Sequence, residues 1–245
     1  LACSGREPHR LRYFGEPGGR FEGVVVRTVR GLVGLLGELL ITLGAVLVLF
    51  VSWQLWWTDV VSDADAAQVG ASMEANPSQD FVSPNDVVPG GAFAVIRIPR
   101  FGADYARPLY EGTGYDILKR GVGHYTGTAK PGEVGNFAMA GHRTTYGKPF
   151  NLIATLRPGD VVLAETKDRY YVYRVTDSQI VPPTQVSVVL PVPDQPKATP
   201  TQKLLTMTSC HPEFSARERY IVHAVLDASY TRDQGIPASV MEVKG

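Results

Sequence analysis

Cys210 closes the apolar run Leu204-Leu205-Thr206-Met207-Thr208-Ser209 and is followed by His211-Pro212. Read as a strand, the run puts Thr206, Thr208 and Cys210 on one face and Met207 and Ser209 on the other. A thiol at the last position of a strand is placed for partial exposure. A free Cys is as readily a small buried hydrophobe, so position alone leaves both readings open. A nucleophilic thiol needs a partner that favours the thiolate. Of the five histidines, four lie beyond residue 100: His124, His142, His211 and His223. His211 neighbours the thiol, but adjacent strand residues point to opposite faces, which makes it an awkward base. His223 lies within a β-type run. His124 and His142 sit among glycines, in Gly123-His124-Tyr125 and Gly141-His142-Arg143, where a turn can expose either. The residues by themselves do not choose between these two. The third element is a cation. Arg219 opens the run Arg219-Tyr220-Ile221-Val222, nine residues after Cys210. Two strands joined by that loop would set a guanidinium beside the thiol, where it can stabilise a developing oxyanion. Arg217 is its rival. No His/Cys pairs have metal-ligand spacing, so neither metal nor cofactor is expected.

Such residues need a scaffold, and the pattern from Ala92 onward is β-rich. Candidate strands are Ala92–Ile98, Ala106–Tyr110, Asn136–Ala140, Val161–Thr166, Arg169–Ile180, Lys203–Ser209 and Arg219–Leu226. Pro99, Gly112-Thr113-Gly114, Pro131-Gly132 and Pro158-Gly159-Asp160 punctuate them, and Lys167-Asp168 reads as a hairpin turn. Helical pattern is confined to Tyr115–Arg120 and Pro149–Ile153. About 135 residues of short strands and loops fit a closed barrel around one core. The tail after Asp227 is expected to be loosely ordered.

Before the barrel lies a different kind of segment. Leu39 to Thr58 are 20 consecutive uncharged residues, long enough as a helix to span bilayer hydrocarbon, and Trp53, Trp56 and Trp57 cluster at the far end. Residues 1–30 carry six Arg against three Glu, whereas residues 59–91 carry six acids and no Lys or Arg. The positive-inside rule then puts the N-terminus in the cytoplasm and the β domain outside. No small-residue cleavage pattern follows the span, so a retained anchor crossing once is expected. Cys3 and Cys210 would lie on opposite sides of the membrane, which leaves Cys210 a lone outer thiol. Residues 58–91, rich in Asp, Ser, Ala, Asn and Pro with a weak helical stretch near Asp63–Met73, read as a tether. Net charge is zero, which argues against a nucleic-acid partner, and 44% apolar residues exclude a disordered chain.

Three ordered motifs carry a family resemblance. Asn136-Phe137-Ala138-Met139-Ala140-Gly141-His142-Arg143-Thr144-Thr145 resembles the catalytic-His region of sortases. Thr206-Met207-Thr208-Ser209-Cys210 is similar to their Thr-Leu-x-Thr-Cys motif, and Arg219-Tyr220-Ile221-Val222 matches the Arg that opens the next strand. Cys210-His211-Pro212 and Gly123-His124-Tyr125 resemble class E, the housekeeping sortases of high-GC Gram-positive bacteria. Met207 for Leu and Ser209 for Thr are the departures. The resemblance implies a mainly β fold: a closed eight-stranded barrel with short helices after one transmembrane helix. The implied segments are a cytoplasmic 1–30, an anchor 31–58, a linker 59–91, a catalytic barrel 92–228 and a tail 229–245. It also implies Cys210 as nucleophile, His142 as general acid/base and Arg219 as oxyanion clamp, with Tyr125, Thr208 and Ser209 contacting substrate. The implied reaction is transpeptidation at the cell membrane. The Thr–Gly bond of a secreted protein's C-terminal sorting signal, of Leu-Ala-x-Thr-Gly or Leu-Pro-x-Thr-Gly type, is cleaved, and the protein is joined to a lipid-linked peptidoglycan amine. The rivals are a cysteine L,D-transpeptidase, whose His-Gly before Ser-Cys is missing here, and a non-catalytic membrane-tethered binding module.

Overall fold

The computed structural model of the chain describes residues 19–75 and 82–243. Cys3, with the rest of residues 1–18, and residues 76–81 of the expected linker lie outside the described residues. The chain divides into two units, residues 1–53 and 54–245.

The first unit is helical. Helix α1, Gly19–Ala75, contains no proline, and Pro17 and Pro77 flank it, so nothing in between interrupts the backbone ladder. Between Val29 and Trp57 its described apolar side chains lie bare around the circumference, with Ile41 74% and Leu49 68% exposed, which is stable only in an apolar solvent. The hydroxyls within it turn back onto the ladder: Thr42 donates to the Glu38 carbonyl and Ser52 to that of Val48, each at 2.8 Å. This helix is long and apolar enough to cross a membrane.

The second unit is a closed eight-stranded barrel that also holds the last turns of α1. Its strands are β1 Ala92–Arg97, β2 Ala106–Glu111, β3 Val122–His124, β4 Gly135–Ala140, β5 Val161–Thr166, β6 Arg169–Val181, β7 Lys203–His211 and β8 Glu218–Thr231. The order around the barrel is β1-β2-β3-β4-β7-β8-β6-β5. Most pairs are antiparallel; β2 with β3 and β4 with β7 are parallel. Three-residue β3 escapes the sequence pattern because it is too short to show alternation. Inward residues, among them Phe93, Phe137, Met139, Leu205, Met207 and Val222, fill the centre. Each buried large apolar side chain contributes roughly 1.5–3 kcal/mol.

Two expectations need correction. The tail is not loose: β8 continues through Ala228 and Tyr230, paired to β6, and Ile236, Val240 and Met241 then cover Val161, Leu163 and Val172 on the barrel's outer side. Its apolar residues have a patch to bury against, which outweighs the ordering entropy. Nor is the segment after Thr58 a simple tether, because α1 continues to Ala75 and packs Val69 and Met73 against Val95.

Candidate active site

Strand alternation sorts β7 as its sequence suggests. Leu205 and Met207 enter the core, while Thr206, Thr208 and Cys210 take the opposite face. On that face β8 supplies direct antiparallel partners: His223 opposite Thr206, Ile221 opposite Thr208 and Arg219 opposite Cys210. Directly opposed residues share a face, with Cβ atoms about 5 Å apart, so the guanidinium and the thiol are neighbours by register. Cys210 is free and partly exposed. Among the described residues Arg219 is fixed through Nη1, which donates to the carbonyls of Ala216 and Glu218, both at 2.9 Å. Arg217 is exposed in the loop before it.

The other neighbour of β7 is β4, and here the parallel pairing matters. Ala140 pairs with Thr208, and the Gly141 N–H donates to the Thr208 carbonyl at 3.1 Å, carrying the ladder one residue beyond the strand. Extending that register by two residues brings residue 142 level with residue 210. Only glycine fits at 141, since a Cβ there would lie 2.7 Å from the Phe150 ring. The Phe150 N–H in turn donates to the His142 carbonyl at 3.0 Å. Burial pushes the His142 pKa below the ordinary histidine value, so the neutral imidazole is favoured. Its Nε2 is buried with no hydrogen-bond partner among the described residues. An orphaned buried nitrogen costs about 1–3 kcal/mol and calls for an explanation, of which a catalytic role is one.

The structure separates the two histidines that sequence alone could not. His124 is fully buried: Nδ1 meets Glu111 at 2.7 Å, and Nε2 lies 3.0 Å from the Thr128 hydroxyl. Lys130 also bonds Glu111. Burial is the largest influence on both groups. It lowers the His124 pKa, and it would raise that of Glu111, but the Lys130 and His124 contacts together leave the carboxyl below its ordinary value. This is a satisfied core histidine. His223 sits under the β6–β7 loop, its Nδ1 3.0 Å from the Thr206 hydroxyl.

The expected substrate contacts divide. Tyr125 and Thr208 share a hydroxyl–hydroxyl bond of 2.9 Å and line a cleft of about 70 Å³ with Pro182, Val186, Arg219 and Ile221. Ser209 does not join them. It is buried on the opposite face, and its hydroxyl donates to the Gly141 carbonyl at 2.8 Å, fastening the two strands beside His142. Larger clefts of about 430 and 520 Å³ flank the β6–β7 loop, and neither is lined by Cys210, His142 or Arg219. Sequence reasoning missed Arg143. It is buried, donates from Nη1 to the Cys210 carbonyl at 3.3 Å and to His211 Nδ1 at 3.0 Å, and so holds both residues from below. Its adjacency to His142 was visible, but nothing in that spacing shows which way a guanidinium turns.

A thiol paired by register with a guanidinium, and an imidazole on the turn after the neighbouring strand whose Nε2 has no partner among the described residues, are equipment for acyl transfer through a cysteine. Comparison narrows the class. A family model described as the sortase domain matches residues 96–227. Sortase SrtE1 of Streptomyces coelicolor is 38% identical over 214 residues, 84% of this chain and 60% of its own length. Sortase SrtE2 of the same organism is 33% identical, with 84% of this chain and 86% of that one covered. The solved structure of sortase E from Streptomyces avermitilis superposes with a TM-score of 0.57 at 40% identity, over 62% of this chain and 99% of that one. The chain belongs to the sortase family of cysteine transpeptidases, and its likeness is to class E. Family membership removes both the L,D-transpeptidase and the non-catalytic module.

Proposed function

We propose that this sortase, held in the membrane by α1, cleaves a C-terminal sorting signal of Leu-Ala-x-Thr-Gly or Leu-Pro-x-Thr-Gly type between Thr and Gly and joins the protein to a cell-wall amine. The observation that carries the reading is the buried Nε2 of His142, without a partner among the described residues, on the turn that follows β4, the strand paired with β7, where Cys210 stands opposite Arg219. The Cys210 sulfur attacks the Thr carbonyl carbon, and the electron pair of the C=O moves to oxygen. Arg219 can meet that oxyanion because, among the described residues, its Nη1 alone is engaged elsewhere. Neutral His142 takes the thiol proton as the sulfur attacks; as the C–N bond breaks, the imidazolium so formed gives that proton to the leaving Gly nitrogen, and a thioester remains on Cys210. Neutral His142, favoured by burial, then takes the proton of the incoming amine. The amine attacks the thioester, the new amide forms, and the departing thiolate recovers the proton from His142, so one imidazole serves both halves. The Tyr125–Thr208 cleft would receive the part of the signal preceding the scissile bond.

The charge difference flanking the span supports an N-terminus in the cytoplasm and a barrel outside, where secreted proteins and lipid-linked precursors meet. The functional test is mass spectrometry of the full chain in detergent with both peptide types. An adduct on Cys210 that an amine of glycine or diaminopimelate type releases as ligated product is expected. Hydrolysis alone at every amine concentration would make the enzyme a protease. For orientation, protease added to intact, wall-stripped cells should remove the barrel; protection of the barrel would reverse the topology.

A further inference from the structure

The loop that follows His142 contains three consecutive residues with left-handed backbone: Tyr146 at φ 52°, Gly147 at 71° and Lys148 at 44°. Only the middle one is glycine. Tyr and Lys in this region are strained, and such strain persists only where the surroundings hold it. What holds it comes from outside the barrel. Asp59 of α1 accepts the Gly147 N–H through Oδ1 at 3.3 Å and the Lys148 ammonium through Oδ2 at 2.7 Å. One helical turn further, Asp63 accepts from Arg107 Nη2 at 2.7 Å, and the same nitrogen donates to the Gly147 carbonyl at 3.2 Å. Helix and loop touch so closely that a Cβ on Gly147 would lie 3.0 Å from Asp63 Oδ1 and 3.2 Å from Ser62 Cβ.

The strained triplet also reaches the site. Tyr146 presents its ring to His142 with centroids 5.2 Å apart, and its hydroxyl shares a 2.9 Å bond with that of Tyr115. Both peptide groups of Gly147 are thus gripped by contacts that include an α1 carboxylate, and the residue just before it braces the imidazole. Asp63 is half exposed and Lys148 nearly so. Ion pairs of this kind add little to global stability, so their effect must be local: they select one conformation of a short loop.

We propose that Asp59 and Asp63 of α1 are positioning residues for His142, fixing Gly147 and Lys148 so that the Tyr146 ring is held against the imidazole. The inference rests on the transpeptidase reading for what His142 does, and on the contacts alone for where it is held. It gives the anchor helix a second task, because the segment that leaves the span also sets the reactive geometry.

The test uses the full chain in detergent with isotope-labelled histidine. The wild-type His142 ring resonance, identified by its loss in His142→Gln, should carry a ring-current displacement from Tyr146. In Asp59→Asn/Asp63→Asn it should move toward the position of an exposed histidine while buried His124 keeps its own, which reports an intact barrel. With sorting peptide, kcat should fall about 10- to 100-fold, as for a displaced catalytic group, while KM changes less than threefold because the Tyr125–Thr208 cleft is untouched. Asp59→Glu/Asp63→Glu, which keeps both carboxylates, should restore most of the rate. An unmoved His142 resonance overturns the proposal, and so does a moved resonance with unchanged kcat. If wild type transfers no peptide at all yet the resonance moves in the Asn variant, the positioning stands and the transpeptidase reading falls.

Discussion

Arg219→Lys keeps the charge opposite Cys210 and should still disable the enzyme. The Arg219 guanidinium divides its work: Nη1 holds the Ala216 and Glu218 carbonyls at 2.9 Å, leaving Nη2 and Nε without a partner among the described residues. A lysine has one nitrogen at the end of a flexible stem. It either stays with the loop carbonyls or swings to the oxyanion, and in each case one arm of the arrangement is lost. Losing one oxyanion donor typically costs about 100- to 1000-fold in kcat, or roughly 3–4 kcal/mol of transition-state stabilisation. Because the oxyanion exists only along the reaction path, KM should change little and kcat/KM should fall with kcat. The assay is initial rates on a fluorescence-quenched sorting peptide, each normalised to titrated Cys210 thiol. Arg217→Lys serves as the control, since its side chain is exposed before the strand, and it should stay within threefold of wild type. Arg219→Lys at near wild-type kcat, or Arg217→Lys falling by the larger factor, would refute the reasoning.

His142→Ala should lose turnover at least 1000-fold with thermal stability within about 1 kcal/mol, whereas His211→Ala, whose ring is engaged by Arg143, should keep substantial activity; kcat and melting curves together check both. Burial depresses the folded-state pKa of His124, His142 and His223 below 6.5, so each contributes stability that is complete above that pH and lost as pH falls below it. Melting temperature should drop between pH 7 and 5, less steeply in His223→Gln, and a flat profile would contradict the assignment. Phe137→Ala, at a fully buried core position, should cost about 3–5 kcal/mol in denaturant unfolding, against under 1 kcal/mol for Ile180→Ala, which is half exposed.

Much of this molecule is written locally in its sequence. Seven of the strands announce themselves through alternation and punctuation, and Lys167-Asp168 turns between β5 and β6 where the hairpin pattern puts it. Cys210 and Arg219 were legible because a strand, a loop and a strand are a local unit, with register fixed by the short connection. The choice of His142 over His124 was not, except through family likeness. It depends on a parallel pairing between segments far apart in the chain, and on Glu111 and Lys130 arriving to satisfy His124. The role of Ser209 was half legible. Alternation already set it on the face away from Cys210, yet the motif drew it among the substrate contacts. The grip of Asp59 and Asp63 on the His142 loop was hidden, since two acids after a membrane span read equally well as a topological signal.

The parallel seam between β4 and β7 has a consequence for how the chain matures. Ser209 and Gly141 are bonded across a separation of 68 residues, so the seam closes only after a long loop is brought together. Until then β4, six residues all buried in the finished barrel and carrying no charge, offers an open hydrogen-bonding edge. A nascent chain that has exposed β4 but not yet released β7 thus combines an aggregation-prone edge with an incomplete site, the thiol not yet beside the imidazole. Reactivity is thereby withheld from every partially emerged form, and a truncation before Lys203 removes Cys210 and Arg219 together with the partner of β4, so it would leave an inert product with that edge unpaired rather than a weakened enzyme.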